Sequence, residues 1–171
     1  MKTVIYYFSG TGNSLQVARD LADQLGETKI VPMADMLGKK EISEKKTRVG
    51  LVFPTYCWGM PRIVVEFVSR LRLGSDSPVF SFITCGGSIG ATNRQLDRQL
   101  RELGMSLYCG FGVRMPGNYT PMYGGPTPEK MKKSLGRARS KVRDAVKVIR
   151  KNEVVPFDGG DLLGRVLAKL M

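Results

Sequence analysis

The feature that most restricts the fold of this chain is a repeated alternation between short apolar runs and longer segments of helical period. Residues 3–8 form a near-continuous apolar run, as expected of a strand buried on both faces. Residues 14–25 follow with Leu15, Ala18, Leu21, Ala22 and Leu25 on one stripe, the spacing of an amphipathic helix. A short run at 29–33 is the second strand candidate, RVGLVF at 48–53 the third and VFSFIT at 79–84 the fourth. Residues 106–114 form a fifth, interrupted by Gly110 and Gly112. Residues 63–71, 92–103 and 129–150 have helical period, and the polar stretch 39–47 reads as a surface connection. Strands alternating with helices in this way predict an α/β fold, a parallel sheet covered on both faces by right-handed crossovers.

Composition narrows the chemistry. The chain of 171 residues has no histidine, which removes a histidine general base, a histidine-based triad and any histidine-ligated metal. Its three cysteines, Cys57, Cys85 and Cys109, are widely spaced, which fits neither a disulfide framework nor an iron–sulfur or zinc pattern. Chemistry here needs a cofactor, a cysteine or carboxylates. No stretch is apolar for long enough to span a membrane, and the first strand breaks at glycine without a secretory cleavage pattern. A cytoplasmic protein with no membrane partner is therefore expected.

Three loops carry the functional signal. SGTGNS at 9–14 follows the first strand and opens the first helix. Backbone N–H groups at a helix N-terminus are unpaired and partly positive, glycines let a phosphate approach them, and the hydroxyls of Ser9, Thr11 and Ser14 add donors. The loop lacks the lysine of a triphosphate-binding loop and the spacing of a dinucleotide-binding one. It suits a single phosphate monoester; the same residues would also make a plain strand-to-helix turn with an N-cap. PTYCWGMP at 54–61 places Tyr56 and Trp58 at the end of the third strand, where they can stack on a flat ring. Folding of Trp58 back onto the core is the other reading. TCGGSIGA at 84–91 follows the fourth strand and offers free backbone amides. A phosphate cradle, an aromatic loop and an amide-rich loop on one sheet edge make a site for a phosphorylated planar heterocycle, and flavin mononucleotide (FMN) fits best.

These motifs resemble those of a flavodoxin. YYFSGTGNS, FPTYCWGMPRIVVEF, FITCGGSIGA and VRMPGNYTP, in this order, are most similar to the flavodoxin-like domain of bacterial flavodoxin–ferredoxin fusion proteins, over roughly residues 1–150. The resemblance implies a doubly wound five-stranded parallel sheet of order 2-1-3-4-5, here placed over residues 1–152 with a tail at 153–171. It implies that Ser9, Gly10, Thr11, Gly12, Asn13 and Ser14 hold the FMN phosphate. Pro54, Thr55, Tyr56, Cys57, Trp58 and Gly59 would flank the ring on one side, and Thr84, Cys85, Gly86, Gly87, Ser88 and Gly90 on the other. The MPGNYTP segment adds Asn118 and Tyr119 as candidates.

Two departures from the family pattern matter. The fusion proteins continue into a cysteine-rich module holding two iron–sulfur clusters, and this chain has no C-x-x-C-x-x-C run. Flavodoxins are usually acidic, whereas this chain has 27 basic and 15 acidic residues, a formal net charge of +12. Ten Lys or Arg fall between residues 129 and 151, on the outer face of the last helix. That face is either a solvated surface or a docking site for an acidic partner, for which the resemblance to the fusion proteins implies a ferredoxin-like iron–sulfur protein; no nucleic-acid motif accompanies it. The expected function is electron transfer through FMN, as a low-potential carrier. The alternatives are an FMN-dependent NAD(P)H or quinone oxidoreductase, and a non-catalytic basic binding module on the same fold.

Overall fold

Alternate residues of the central strands pack on opposite layers, as period-two side chains require. In a computed structural model of the protein, residues 1–117 and 124–159 are described. The strands are β1 (Thr3–Tyr7), β2 (Thr28–Pro32), β3 (Ile42–Glu44), β4 (Arg48–Pro54), β5 (Leu71–Leu73), β6 (Val79–Cys85) and β7 (Leu107–Arg114). The α-helices are α1 (Asn13–Leu25), α2 (Arg62–Ser69), α3 (Thr92–Glu102) and α4 (Pro128–Lys151). Five strands form one sheet of order β2-β1-β4-β6-β7, with every pair parallel. Counting only these strands, the order is the expected 2-1-3-4-5.

Val4, Tyr6, Leu51, Phe53 and Ile83 face one core layer, which contains Val64 and Phe67 of α2 and Leu96 and Leu100 of α3. Ile5, Val52, Phe80 and Phe82 face the other, with Val17 and Leu21 of α1 and Val142, Ala145 and Ile149 of α4. Gly50 lacks a side chain because the Phe80 ring occupies that space: a Cβ there would lie 2.5 Å from the ring. Among the described residues, no helix is long and apolar enough to cross a membrane.

Two expectations about local structure are corrected. The stretch 39–47 is not wholly a surface connection, and the second helix does not reach Leu71. Ile42–Glu44 and Leu71–Leu73 pair in parallel as a separate two-stranded sheet. Ile42 and Leu71 are buried in the core, and the Arg70 guanidinium bonds the Leu37 carbonyl. This tertiary burial outweighs the local preferences of isolated three-residue segments.

The chain beyond α4 continues along β7. Asn152 ends α4 in the left-handed region at φ 50°, and its side-chain oxygen accepts two bonds of 3.1 Å from the buried Arg48 guanidinium. Val155 N–H then donates to Tyr108 O at 3.0 Å and Asp158 N–H to Gly110 O at 2.8 Å. The Asp158 carboxylate accepts from Gly112 N–H at 2.9 Å. Residues 153–159 thus cover the edge of β7, which would otherwise expose unpaired backbone groups.

Candidate functional site

The carboxyl ends of β1, β4 and β6 lie side by side, with Tyr7 paired to Val52 and Pro54 to Thr84. Strand β1 has β2 on one side and β4 on the other, so the order reverses there. An open α/β sheet places its ligand crevice at such a point.

The first loop turns into α1 through Gly12, whose φ of 91° favours glycine. Gly12 N–H donates to Ser9 Oγ at 3.0 Å, and Gly12 O accepts from Gln16 N–H at 2.9 Å. Helix α1 has no side-chain cap and no acid in its first turn. The amides of Asn13, Ser14 and Leu15 precede the first intrahelical donor, and among the described residues no side chain caps this positive end of the helix. An anion bound there would supply the missing acceptors. This is the fit expected of a phosphate cradle.

Side chains of this loop also tie the site together. Ser14 is buried, and its Oγ stands 2.8 Å from Thr84 Oγ1. Asn13 Nδ2 donates to Pro116 O at 3.0 Å, and Met115 N–H donates to Cys85 O at 2.9 Å. The segment 115–117 therefore bridges the first and third loops, with Gly117 beside Gly86. Asn118 and Tyr119 lie outside the described residues.

The second loop is a tight turn. Tyr56 and Gly59 exchange backbone hydrogen bonds of 3.0 and 2.9 Å around Cys57 and Trp58. Both central residues have positive φ, 47° and 61°. Glycine and asparagine are the usual occupants of such positions, and a bulky residue there stores on the order of 1 kcal/mol or more. Glycine 59 sits just after the strained pair. Tyr56 is 50% exposed and Trp58 36%, so neither has folded into the core. The Tyr56 ring meets Phe8 edge-on at 6.1 Å, and its hydroxyl lies 3.0 Å from where a Gly10 Cβ would be. The aromatic loop thereby reaches the first loop.

The third loop packs on the second. Gly90 has φ 55°, and a Cβ there would lie 2.5 Å from Trp58 Cβ and 2.9 Å from Trp58 O. Thr92 Oγ1 donates to Ile89 O at 2.6 Å and stands 2.7 Å from Thr55 Oγ1. Gln95 Oε1 accepts from Met60 N–H at 3.1 Å and holds the exit of the aromatic loop. Ser88 Oγ accepts from Gly90 N–H at 3.2 Å, while Gly87 has open space where a side chain would stand. Burial pushes the Cys85 thiol above its ordinary pKa, against the pull of Arg114 and Lys141, which keeps it protonated at neutral pH.

The structure therefore brings the three loops together at one sheet edge through Ser14–Thr84, Tyr56–Gly10 and Trp58–Gly90. Sequence reasoning did not single out Thr92 or Gln95. They are polar residues in the first turns of a helix, a common arrangement with no motif to flag them. Asp158 was also missed, because its role depends on a tail folding back along β7.

Several solved structures are similar to this chain. An FMN-dependent NADH-azoreductase from Bacillus anthracis, solved in complex with FMN, superposes with a TM-score of 0.54 at 11% identity, covering 85% of this chain and 97% of that one. A Trp repressor binding protein from Bacillus subtilis gives 0.50 at 13% identity, with 82% and 95% covered. A flavodoxin from the domain Archaea gives 0.49 at 18% identity, with 86% and 99% covered. At these identities the likeness is one of fold. No curated protein sequence matches the chain. A family model described as a flavodoxin domain matches residues 4–135, a span that takes in all three loops, and the chain belongs to that flavodoxin family.

Proposed function

We propose that the protein binds FMN across the three loops and serves as an electron carrier. The observation that carries this reading is the uncapped, acid-free N-terminus of α1, joined by direct contacts to an aromatic turn and a glycine-rich loop. The phosphate would lie against the amides of residues 13–15 and the loop hydroxyls. The isoalloxazine ring would lie between the 54–59 turn and the 84–90 loop. FMN bound in this way supplies reversible one- and two-electron chemistry. The chain's own residues bind it, orient it and set the field around it. The azoreductase neighbour, which holds FMN on the same fold, agrees with this cofactor.

Carrier chemistry suits the residues present. The loops at 9–14, 54–59 and 84–90 contain no Asp, Glu, Lys, Arg or His, so no charged side chain within them can relay a proton to a substrate. Tyr56 and Trp58 lie exposed at the rim, where a partner protein would meet the flavin edge. The positive field of the chain favours an acidic redox partner, and a ferredoxin-like iron–sulfur protein is the partner proposed. Several cations of α4 are already paired, Arg139 with Asp20, Lys141 with Asp158 and Lys147 with Asp144, so the effective docking charge is less than the sequence total.

Reduction of a small acceptor is the second reading. It is favoured by a cavity behind the third loop, described below. Spectroscopy separates the readings in two steps. Titration with FMN should give a 1:1 yellow complex, and its absence would remove both flavin readings. Sustained NAD(P)H-driven quinone reduction by the complex would then replace the carrier with the reductase.

A further inference from the structure

A cavity of about 460 Å³ lies between the carboxyl ends of β6 and β7, the 85–89 segment and α4. No residue of the first or second loop lines it. Cys85, Gly87 and Ser88 of the third loop line it, residues that the proposed function also sets beside the flavin. The volume is within the range of small-molecule sites.

Its lining has two characters. Arg114, Arg137 and Lys141 contribute three cations against the single carboxylate of Asp158. Lys141 is bonded to Asp158, whose carboxylate is also held by Gly112 N–H. Arg114 Nε donates to Gly87 O at 2.8 Å, which holds the guanidinium at the cavity wall. Arg137 has no ion-pair partner among the described residues, and its side chain is exposed. Ile89, Val113 and Ala138 supply an apolar surface beside these charges. Cys85 lines the cavity as well, and Arg114 and Lys141 pull its thiol pKa down against the larger effect of burial.

We infer that this cavity binds a small organic anion, a carboxylate or phosphate monoester carried on an apolar body. The two arginines would take the anionic group, since guanidinium matches the planar geometry of a carboxylate or the oxygens of a phosphate. The Ile89, Val113 and Ala138 surface would take the apolar body. A free inorganic ion would use only the first half of the site, and a neutral aromatic only the second.

The test is isothermal titration of the full chain with no flavin added, so the result stands or falls independently of FMN binding. The probes are phenyl phosphate, benzoate, inorganic phosphate and benzyl alcohol. Phenyl phosphate or benzoate should bind saturably at 1:1, and the tighter of the two identifies the anionic group. Inorganic phosphate and benzyl alcohol should each bind at least tenfold more weakly than that probe. Arg137→Gln should weaken it at least tenfold. Arg139→Gln, on the same helix but paired with Asp20, should leave it unchanged. In amide spectra, the shifts on binding should centre on Gly87 and Gly112. The inference is overturned if neither aromatic anion binds the folded protein, if inorganic phosphate binds as well, if Arg137→Gln has no effect, or if the shifts fall elsewhere.

Discussion

Ser14 Oγ and Thr84 Oγ1 stand 2.8 Å apart in the buried interior, joining the first turn of α1 to the end of β6. The first loop and the third loop are thereby one mechanical unit. Ser14→Ala leaves the Thr84 hydroxyl without this partner and should destabilise the protein by roughly 1–2 kcal/mol. Urea denaturation measures this, and an unchanged midpoint would show that the contact does not couple the loops.

Thr11→Ala addresses the phosphate itself. It should weaken FMN by roughly 1.5–3 kcal/mol, the range for a hydrogen bond to a charged group, with riboflavin affinity unchanged. Parallel titrations with the two flavins check this. Equal losses for both would place the phosphate elsewhere.

Trp58 is the single tryptophan, so its fluorescence reports the aromatic turn without interference from a second indole. FMN binding should quench it. Gly90→Ala would drive a methyl group into the Trp58 backbone at a residue already in the left-handed region. It should shift the Trp58 emission, lower stability by roughly 1–3 kcal/mol and weaken FMN. Cys57→Gly should act in the opposite direction on stability, by up to about 1 kcal/mol, because glycine relieves the positive φ of 47°. A Gly90→Ala protein with native emission and affinity would contradict the packing of the two loops.

Alkaline pH should destabilise the fold. Burial pushes the Cys109 thiol up to about 12 from its ordinary value of 9.0, and raises Cys85 and Tyr6 as well, with Glu44 adding to the effect on Tyr6. In the unfolded chain these groups release protons first, so the unfolded state binds fewer protons and stability falls as pH rises. The contribution of the thiols is fully present below pH 9 and that of Tyr6 below pH 10, and each is lost as pH rises beyond, at up to about 1.4 kcal/mol per pH unit for each proton. Denaturation midpoints at pH 7 and pH 10 measure the fall, and Cys109→Ala should reduce the slope. A flat profile would contradict the burial of these thiols.

The parallel sheet was legible because its strands are apolar on both faces and its helices amphipathic, so period and burial agree. That the loops at 9–14 and 84–90 meet at one sheet edge was legible because both follow buried parallel strands. The β3–β5 sheet was not, since Ile42 and Leu71 are lone apolar residues in short segments whose pairing only tertiary burial reveals. The strain at Cys57 and Trp58 was hidden because neither residue is a turn former. The edge role of 153–159 was hidden because it rests on backbone bonds to Tyr108 and Gly110.

If the basic surface guides an acidic iron–sulfur partner, electron transfer from the flavin-loaded protein to such a partner should slow as ionic strength rises. Stopped-flow rates across a salt series measure this. A rate that rises with salt would leave the outer face of α4 as a solvated surface.

The decisive measurement is a pair of equilibrium titrations of the flavin-free protein with FMN and with riboflavin, followed by flavin absorbance and Trp58 fluorescence. A cradle at the N-terminus of α1 predicts one FMN per chain, quenched Trp58 emission and at least tenfold weaker riboflavin binding. Equal affinity for the two flavins, or no binding of FMN, would contradict it.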